Sequence, residues 1–275
     1  MSKKFEMVGN ILLYLLVFII SQFFASYIAM FVFFILNAKE IGFADIIYIQ
    51  TQVEKFISQY TPAIYIVSFI LSTIGYFTIF RLKKKNIYKE GGFLKIPFYK
   101  IFVLVFTGVA ANIVVDFLLN YIRHNVDLEH TFIKYNTLIE SILSSNNVIL
   151  LLLSTGILYP FLEEVIFRGF IFNELRKNVS ITKAIGIQAF LFGFLHLDPV
   201  QGTYAFLLGL FLAYIYLWTG SIWAPVALHV GVNSYAVMAS KFPQFSLNGT
   251  LYLVLSVFVL IIGTAIIYKT RPEQN

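Results

Sequence analysis

Four long stretches without Asp, Glu, Lys or Arg dominate the pattern of apolar and polar positions, at 11–36, 62–80, 199–240 and 242–268. A helix needs about 20 mostly apolar residues to cross the hydrocarbon core of a bilayer. Three of the stretches therefore predict one spanning helix each, and the 42-residue stretch 199–240 predicts two.

Less uniform apolar segments complete the pattern and predict an all-α, polytopic membrane helix bundle of about eight transmembrane helices. The expected helices are 9–37, 61–80, 101–122, 148–173, 182–197, 203–219, 221–240 and 249–268. Segments 38–60 and 123–147 are long enough for short surface helices, and 81–100 is expected to form an interfacial turn. The predicted organisation is three N-terminal spans with their loops (1–145), a core that carries the polar motifs (146–240), and a last span with its tail (241–275).

Composition agrees with a membrane protein, because 59% of the residues are hydrophobic and only 12% are charged. Soluble domains carry about 25% charged residues. The net charge of +6 follows from membrane orientation, so we expect the lipid bilayer as the partner surface and no nucleic acid. Cysteine is absent, which excludes disulfides and thiolate chemistry. The first apolar run exceeds the 7–15 residues of a signal-peptide core, so it is expected to be a retained span.

The distribution of basic residues predicts the orientation in the membrane. With the N-terminus inside, 15 of the 20 Lys and Arg residues lie at the inner ends of the spans. The positive-inside rule therefore predicts a multi-pass cell-membrane protein with both termini in the cytoplasm. The excess of Lys over Arg and the abundance of Ile and Phe favour a bacterial origin.

Ionisable groups are concentrated in the fourth predicted helix, where Glu163, Glu164 and Arg168 lie within an apolar span. Such groups are costly in hydrocarbon and need a partner or a function. Glu164 and Arg168 are four residues apart and can pair on one helix face. Glu163 points about 100° away from Glu164 and is free to face another helix. A charge-neutralised contact between helices is the structural alternative.

Three further polar residues lie in predicted spans: His196 in the fifth helix, and His229 with Asn233 in the seventh. Alone, each could be a hydrogen-bonded packing residue. The helical rise, however, places Glu163, His196 and His229 at similar depths, roughly 12–20 Å above the inner ends of their helices. A general base, imidazoles and an amide donor at one depth suit the activation of water against a carbonyl group.

The motifs resemble those of the CPBP family, which includes CAAX prenyl endopeptidases and bacteriocin-processing or self-immunity (Abi-type) membrane proteins. They are Glu-Glu-x-x-Phe-Arg-Gly at 163–169, Phe-x-x-x-His at 192–196 and His-x-x-x-Asn at 229–233. The resemblance covers about 160–235 and implies an intramembrane endopeptidase whose site opens toward the cytoplasm. Its substrate would be a membrane-associated or lipid-modified protein or peptide.

The resemblance also implies roles for the motif residues of this chain. Glu163 and His196 would activate water, and His229 and Asn233 would stabilise the oxyanion. Glu164 and Arg168 complete the first motif, and we expect them to position the others.

Metal dependence is open at this stage. Such proteins are often called metalloproteases, and one Glu with two His is a known zinc ligand set. Glu163, His196 and His229 are therefore candidate zinc ligands, although no His-Glu-x-x-His motif is present. A glutamate that activates water without a metal is the interpretation we favour.

Two other functions are compatible with buried Glu and His residues. A proton- or cation-coupled transporter uses such groups as a relay, but the sequence shows no inverted repeat of the kind that transporters contain. A catalytically silent immunity or binding protein is the other alternative. Prenylated CAAX proteins, leader peptides and bacteriocins all remain candidate substrates.

The remaining polar residues favour structural roles. For Asn112 and Asp116 in the third span we expect an interhelical hydrogen bond or a contact with Arg123. A polar outer loop contains a group with the composition of a metal site, but a solvated segment is the favoured interpretation. Its residues are His124, Asp127, Glu129 and His130.

Overall fold

The chain folds into a helical bundle, seen in a computed structural model that describes residues 3–42 and 45–272. About 85% of it is helical, and no strand occurs within the described residues, so the predicted all-α bundle is confirmed. The main helices are α1 (Lys3–Leu36), α2 (Ile46–Leu82), α3 (Phe98–Asn125), α4 (Glu129–Leu143), α5 (Val148–Leu175), α6 (Ile181–Phe194), α7 (Pro199–Thr219), α8 (Trp223–Lys241) and α9 (Thr250–Lys269).

Each predicted helical segment overlaps one of these helices, but a count of eight spans is not confirmed. Within the described residues, six helices are long and apolar enough to cross a membrane: α1, α2, α3, α5, α7 and α9. Helix α6 has 14 residues and is about 21 Å long, which is shorter than the hydrocarbon core. Helix α8 has 19 residues and carries the polar His229 and Asn233 on its apolar background.

The predicted loops differ in how they fold. Segment 123–147 contains the surface helix α4, as expected. Most of segment 38–60, by contrast, is the beginning of α2, a helix of 37 residues that starts after the N-cap Asp45. The side chain of Asp45 accepts a hydrogen bond from the backbone N–H of Tyr48 at 2.8 Å. This bond satisfies one of the free N–H groups in the first turn of the helix. A short helix of four residues, Ala38–Ile41, follows α1 and has no buried residue.

Residues of the predicted inner segments meet at one end of the bundle, which we call the basic end. The amide of Asn10 donates to Glu174 at 3.0 Å, and Lys83 donates to Asn10. Lys177 pairs with Glu90 at 2.7 Å. Burial tends to raise the pKa of Glu90, but the hydrogen bond and charge of Lys177, with other lysines nearby, lower it below its ordinary value.

The segment after α2 contains a short helix, Ile87–Glu90, and is hydrogen-bonded to this end of the bundle. Its Gly92 carbonyl accepts from the amide of Ile222 at 2.9 Å, and its Leu94 carbonyl accepts from the hydroxyl of Ser221. Asn173 at the end of α5 donates to the Glu90 carbonyl at 2.9 Å. These bonds tie the segment to α5 and to the turn before α8, and they close the bundle at its basic end.

Helices α3 and α8 pack closely because glycines lie at their contact. A Cβ atom at Gly108 would overlap the backbone of Leu228, and one at Gly231 would overlap the backbone of Val105. Small residues of this kind let helix backbones approach in a membrane. The close approach fixes the position of α8, the helix that carries His229.

Candidate functional site

Helix α5 supplies both glutamates of the first motif and is irregular around them. Residues Leu152–Leu158 and Val165–Phe172 are π-helical, and the α-helical turn Tyr159–Glu164 lies between them. The π-helical conformation is rare and occurs often at functional sites. The helix backbone is therefore irregular on both sides of the turn that contains the two glutamates.

Glu164 and Arg168 form the ion pair expected from their spacing. Arg168 Nη1 lies 2.8 Å from Glu164 Oε1, and both side chains are 0% exposed. Arg168 Nη2 donates to the Gly209 carbonyl at 3.2 Å, and the guanidinium lies 4.5 Å from the ring centre of Phe192. A buried charge with these partners is held in one position.

The Glu164 carboxylate also holds His229, since His229 Nδ1 lies 2.8 Å from Glu164 Oε1. A carboxylate paired with Arg168 only accepts hydrogen bonds, so Nδ1 carries the proton. The other ring nitrogen, Nε2, faces Glu163 Oε2 at 3.8 Å. This separation is longer than a hydrogen bond and lets both atoms contact one water molecule.

His196 lies two residues after the end of α6, and the prediction of a helix that continues to 197 is wrong at this point. The helix ends at Phe194, and Leu197 adopts a left-handed conformation with φ 57°. The four-residue spacing still acts locally, because His196 Nδ1 lies 2.8 Å from the Phe192 carbonyl oxygen. A carbonyl oxygen only accepts, so in the neutral ring Nε2 is the acceptor atom.

Asn233 is fixed by the irregular part of α5. Its Nδ2 donates to the carbonyl of Thr155 at 3.2 Å, and the neighbouring Ser234 hydroxyl donates to the carbonyl of Gly156 at 3.2 Å. Both carbonyls belong to the π-helical segment before the glutamates. One N–H of the Asn233 amide is used in this contact, and the amide has a second N–H to offer.

Four of the predicted site residues line one cavity of about 580 Å³: Glu163, His196, His229 and Asn233. Glu164 and Arg168 do not line the cavity; Glu164 contacts His229, and Arg168 pairs with Glu164. The arrangement can hold water beside a carboxylate and two imidazoles, which suits general acid–base chemistry.

Sequence analysis missed several residues of this cavity. Tyr65, Tyr159 and Tyr204 line it. No pattern separates them from the other residues among the 17 tyrosines of the chain. Asp116, for which we expected a structural role, also lines the cavity.

The cavity extends away from the basic end of the bundle. Its walls reach Tyr135 and Ile142 of α4, Gln201 at the start of α7, Ser240 near the end of α8 and Ser246 after that helix. If the termini are cytoplasmic, these residues lie on the outer side. The prediction of cytoplasmic termini is therefore incompatible with the prediction of a site that opens toward the cytoplasm.

The zinc ligand set is not assembled. Within residues 3–42 and 45–272, no group of three or more His, Asp or Glu side chains could hold a metal ion. The three candidates Glu163, His196 and His229 share a cavity without converging on one point, and we derive no chemical step through a metal.

The remaining polar residues are placed as follows. Asn112 Nδ2 donates to the Val232 carbonyl at 3.2 Å, which is the expected interhelical hydrogen bond. Asp116 accepts from Asn120 at 3.3 Å, and the expected contact with Arg123 is not formed. The residues with the composition of a metal site are all exposed: His124 at the end of α3, Asp127 between the helices, and Glu129 and His130 at the start of α4.

The fold and the site define a polytopic membrane protein with a carboxylate–histidine cluster enclosed among its helices. Residues 145–235 match the family model described as "Type II CAAX prenyl endopeptidase Rce1-like". For this segment the match confirms the family resemblance that the three motifs predicted.

A curated relative points in the same direction. A protein of Bacillus subtilis (strain 168), named "Putative membrane peptidase YdiL", is 31% identical over 94 residues. The aligned region is 34% of this chain and 38% of the relative, so the similarity spans less than half of either protein. No solved structure matches the chain.

Proposed function

We propose that the chain is an intramembrane endopeptidase that hydrolyses a peptide bond in a membrane-associated protein or peptide. One observation carries the proposal: Glu163 Oε2 and His229 Nε2 face each other at 3.8 Å in the wall of a cavity, with His229 fixed from behind by Glu164. The family match over 145–235 and the name of the Bacillus subtilis relative support a peptidase.

In the proposed reaction Glu163 is the general base. It takes a proton from water as the water oxygen bonds to the carbonyl carbon of the substrate. The same proton then passes to the nitrogen of the leaving amine as the carbon–nitrogen bond breaks. His196 assists by accepting a hydrogen bond from the water at Nε2, since its Nδ1–H is directed at the Phe192 carbonyl.

The negative charge on the carbonyl oxygen is stabilised from the α8 side. Asn233 offers its second amide N–H, and His229 donates from Nε2 when it carries a second proton. The Glu164 carboxylate, 2.8 Å from Nδ1, stabilises the charge of that imidazolium. Glu164 and Arg168 are therefore positioning residues, and no step of the reaction needs a metal.

The test uses purified protein in lipid nanodiscs, with mass spectrometry of membrane peptides incubated with it. Glu163→Gln should lower cleavage by more than about 100-fold, the scale expected for a general base. Glu140→Gln removes a carboxylate from the exposed face of α4 and is the matched control, which should cut normally. Cleavage by Glu163→Gln near the wild-type rate would disprove the mechanism.

The rival functions give different results in the same system. A transporter would show Glu163-dependent ion flux in proteoliposomes and no peptide products. A silent immunity or binding protein would still complement its cellular phenotype as the Glu163→Gln variant. Cleavage that depends on Glu163 without ion flux supports the peptidase.

A further inference from the structure

The cavity that contains Glu163 is acidic. The carboxyl side chains in its wall are Asp116 and Glu163, and no Lys or Arg occurs among the described residues that line it. Arg168, the basic residue nearest to the site in sequence, is 0% exposed and paired with Glu164. A positive group entering the cavity would therefore be attracted, and a negative group would be repelled.

Asp116 has one hydrogen-bond partner among the described residues. Its Oδ2 accepts from Asn120 at 3.3 Å. None of the ion pairs among the described residues includes it. A carboxylate in an apolar spanning helix is costly unless it is paired or functional. The cationic partner that Asp116 lacks within the chain can come from a ligand in the cavity.

The packing of α3 against α8 gives the distance between Asp116 and the reactive groups. Asn112 on α3 contacts Val232 on α8 and Gly108 meets Leu228, both with an offset of 120 residues, whereas Gly231 meets Val105 with an offset of 126. His229 is therefore seven to 13 residues below the level of Asp116 along the helices. At 1.5 Å per residue this is about 10–20 Å. An extended peptide covers that distance in about three to six residues.

Apolar side chains form much of the cavity wall, among several polar ones such as Tyr135. Val115 and Leu119 of α3 face the cavity together with Leu138, Ile139 and Ile142 of α4. Such a surface suits the apolar side chains of a peptide that is partly embedded in the membrane. The Asp116 side chain is exposed and lines the cavity, so a cationic group of a ligand can reach it.

From these contacts we infer that the cavity selects a cationic peptide, in which Asp116 binds a Lys or Arg side chain about three to six residues from the scissile bond. The inference rests on the proposed peptidase function and names its substrate class. It also favours an internal peptide bond, because a free C-terminal carboxylate would find no Lys or Arg on the described wall.

The test separates binding from cleavage. Binding is measured by fluorescence anisotropy with labelled peptides of Leu, Val and Ala that carry one central Lys, Gln or Glu. The protein carries Glu163→Gln, so that the peptides stay intact. The Lys peptide should bind about tenfold or more tightly than the Glu peptide, the effect of one charged hydrogen-bonded contact.

Asp116→Asn in the same background should remove this preference, whereas Glu140→Gln should keep it. Asp116→Lys should reverse the preference in favour of the Glu peptide, which a variant with merely weakened folding would not do. Equal binding of all three peptides, or a preference that survives Asp116→Asn, would overturn the assignment of Asp116.

Cleavage is then measured with Glu163 restored. Mass spectrometry should find the cut about three to six residues from the Lys, and a cut outside this range would refute the predicted distance. Cleavage without any charge preference would leave the peptidase function intact and refute the Asp116 site. Binding through Asp116 without Glu163-dependent cleavage would support the Asp116 site and refute the peptidase proposal.

Discussion

His229 and Glu164 lie 65 residues apart in the chain, yet Nδ1 of His229 is 2.8 Å from Oε1 of Glu164. The contact leaves Nε2 of the same ring facing Glu163 at 3.8 Å. The two adjacent glutamates thus have different tasks, because one lies in the cavity wall and the other orients the imidazole from behind. A carboxylate that fixes the tautomer of a histidine in this way is a common device in acid–base sites.

The buried ion pair behind His229 leads to a prediction about stability. Arg168→Ala leaves the Glu164 carboxylate buried without its counter-charge, which costs about 3–5 kcal/mol. We expect this variant to melt at a lower temperature than Glu163→Gln in detergent. The double variant with Glu164→Gln and Arg168→Gln should recover part of the loss, because no single charge is left behind. Equal melting temperatures for all three would contradict the pairing.

The contact between α3 and α8 leads to a prediction about packing. Gly231→Ala places a Cβ against the Val105 backbone and should destabilise the protein by about 1–3 kcal/mol, the usual cost of overpacking. Gly186→Ala in α6 is the control, since nothing lies within 4 Å of a Cβ built there. Thermal unfolding should separate the two variants. If both behave like the wild type, the helices are further apart than the structure shows.

The direction of the cavity leads to a prediction about topology, and the absence of cysteine makes it simple to measure. Ser246→Cys marks the cavity mouth, and Lys95→Cys marks the basic end. With cytoplasmic termini, a membrane-impermeant maleimide should label Ser246→Cys in intact cells and Lys95→Cys only after lysis. The reverse pattern would place the mouth in the cytoplasm and show that the charge-based orientation is wrong.

The proposed chemistry without a metal leads to a prediction about chelation. Activity of the purified protein should survive exhaustive treatment with a chelator, because the proposed base is Glu163 itself. Metal analysis of the same preparation provides the check. A tightly held, stoichiometric zinc ion that is lost in both His196→Ala and His229→Ala, together with activity that zinc restores after chelation, would overturn the prediction.

The sequence by itself determined the helices and the contacts within them. Long stretches without charge have few alternatives to a membrane helix, because every backbone polar group must be satisfied inside the segment. Spacing by four residues fixed the pair Glu164–Arg168 and also the contact of His196 with Phe192. Neighbours at this spacing meet on one helix face whatever surrounds the helix.

The tertiary structure alone decided how the helices are rotated and where each one ends. It brought the His229 ring into contact with Glu164 and placed Asp116 in the wall of the cavity that contains Glu163. It also directed that cavity away from the basic end. It also ended α6 before His196. These features depend on close contacts between distant residues, such as Gly231 against Val105. Helical periodicity fixes which residues share a face, but the partner of that face is chosen by packing between helices.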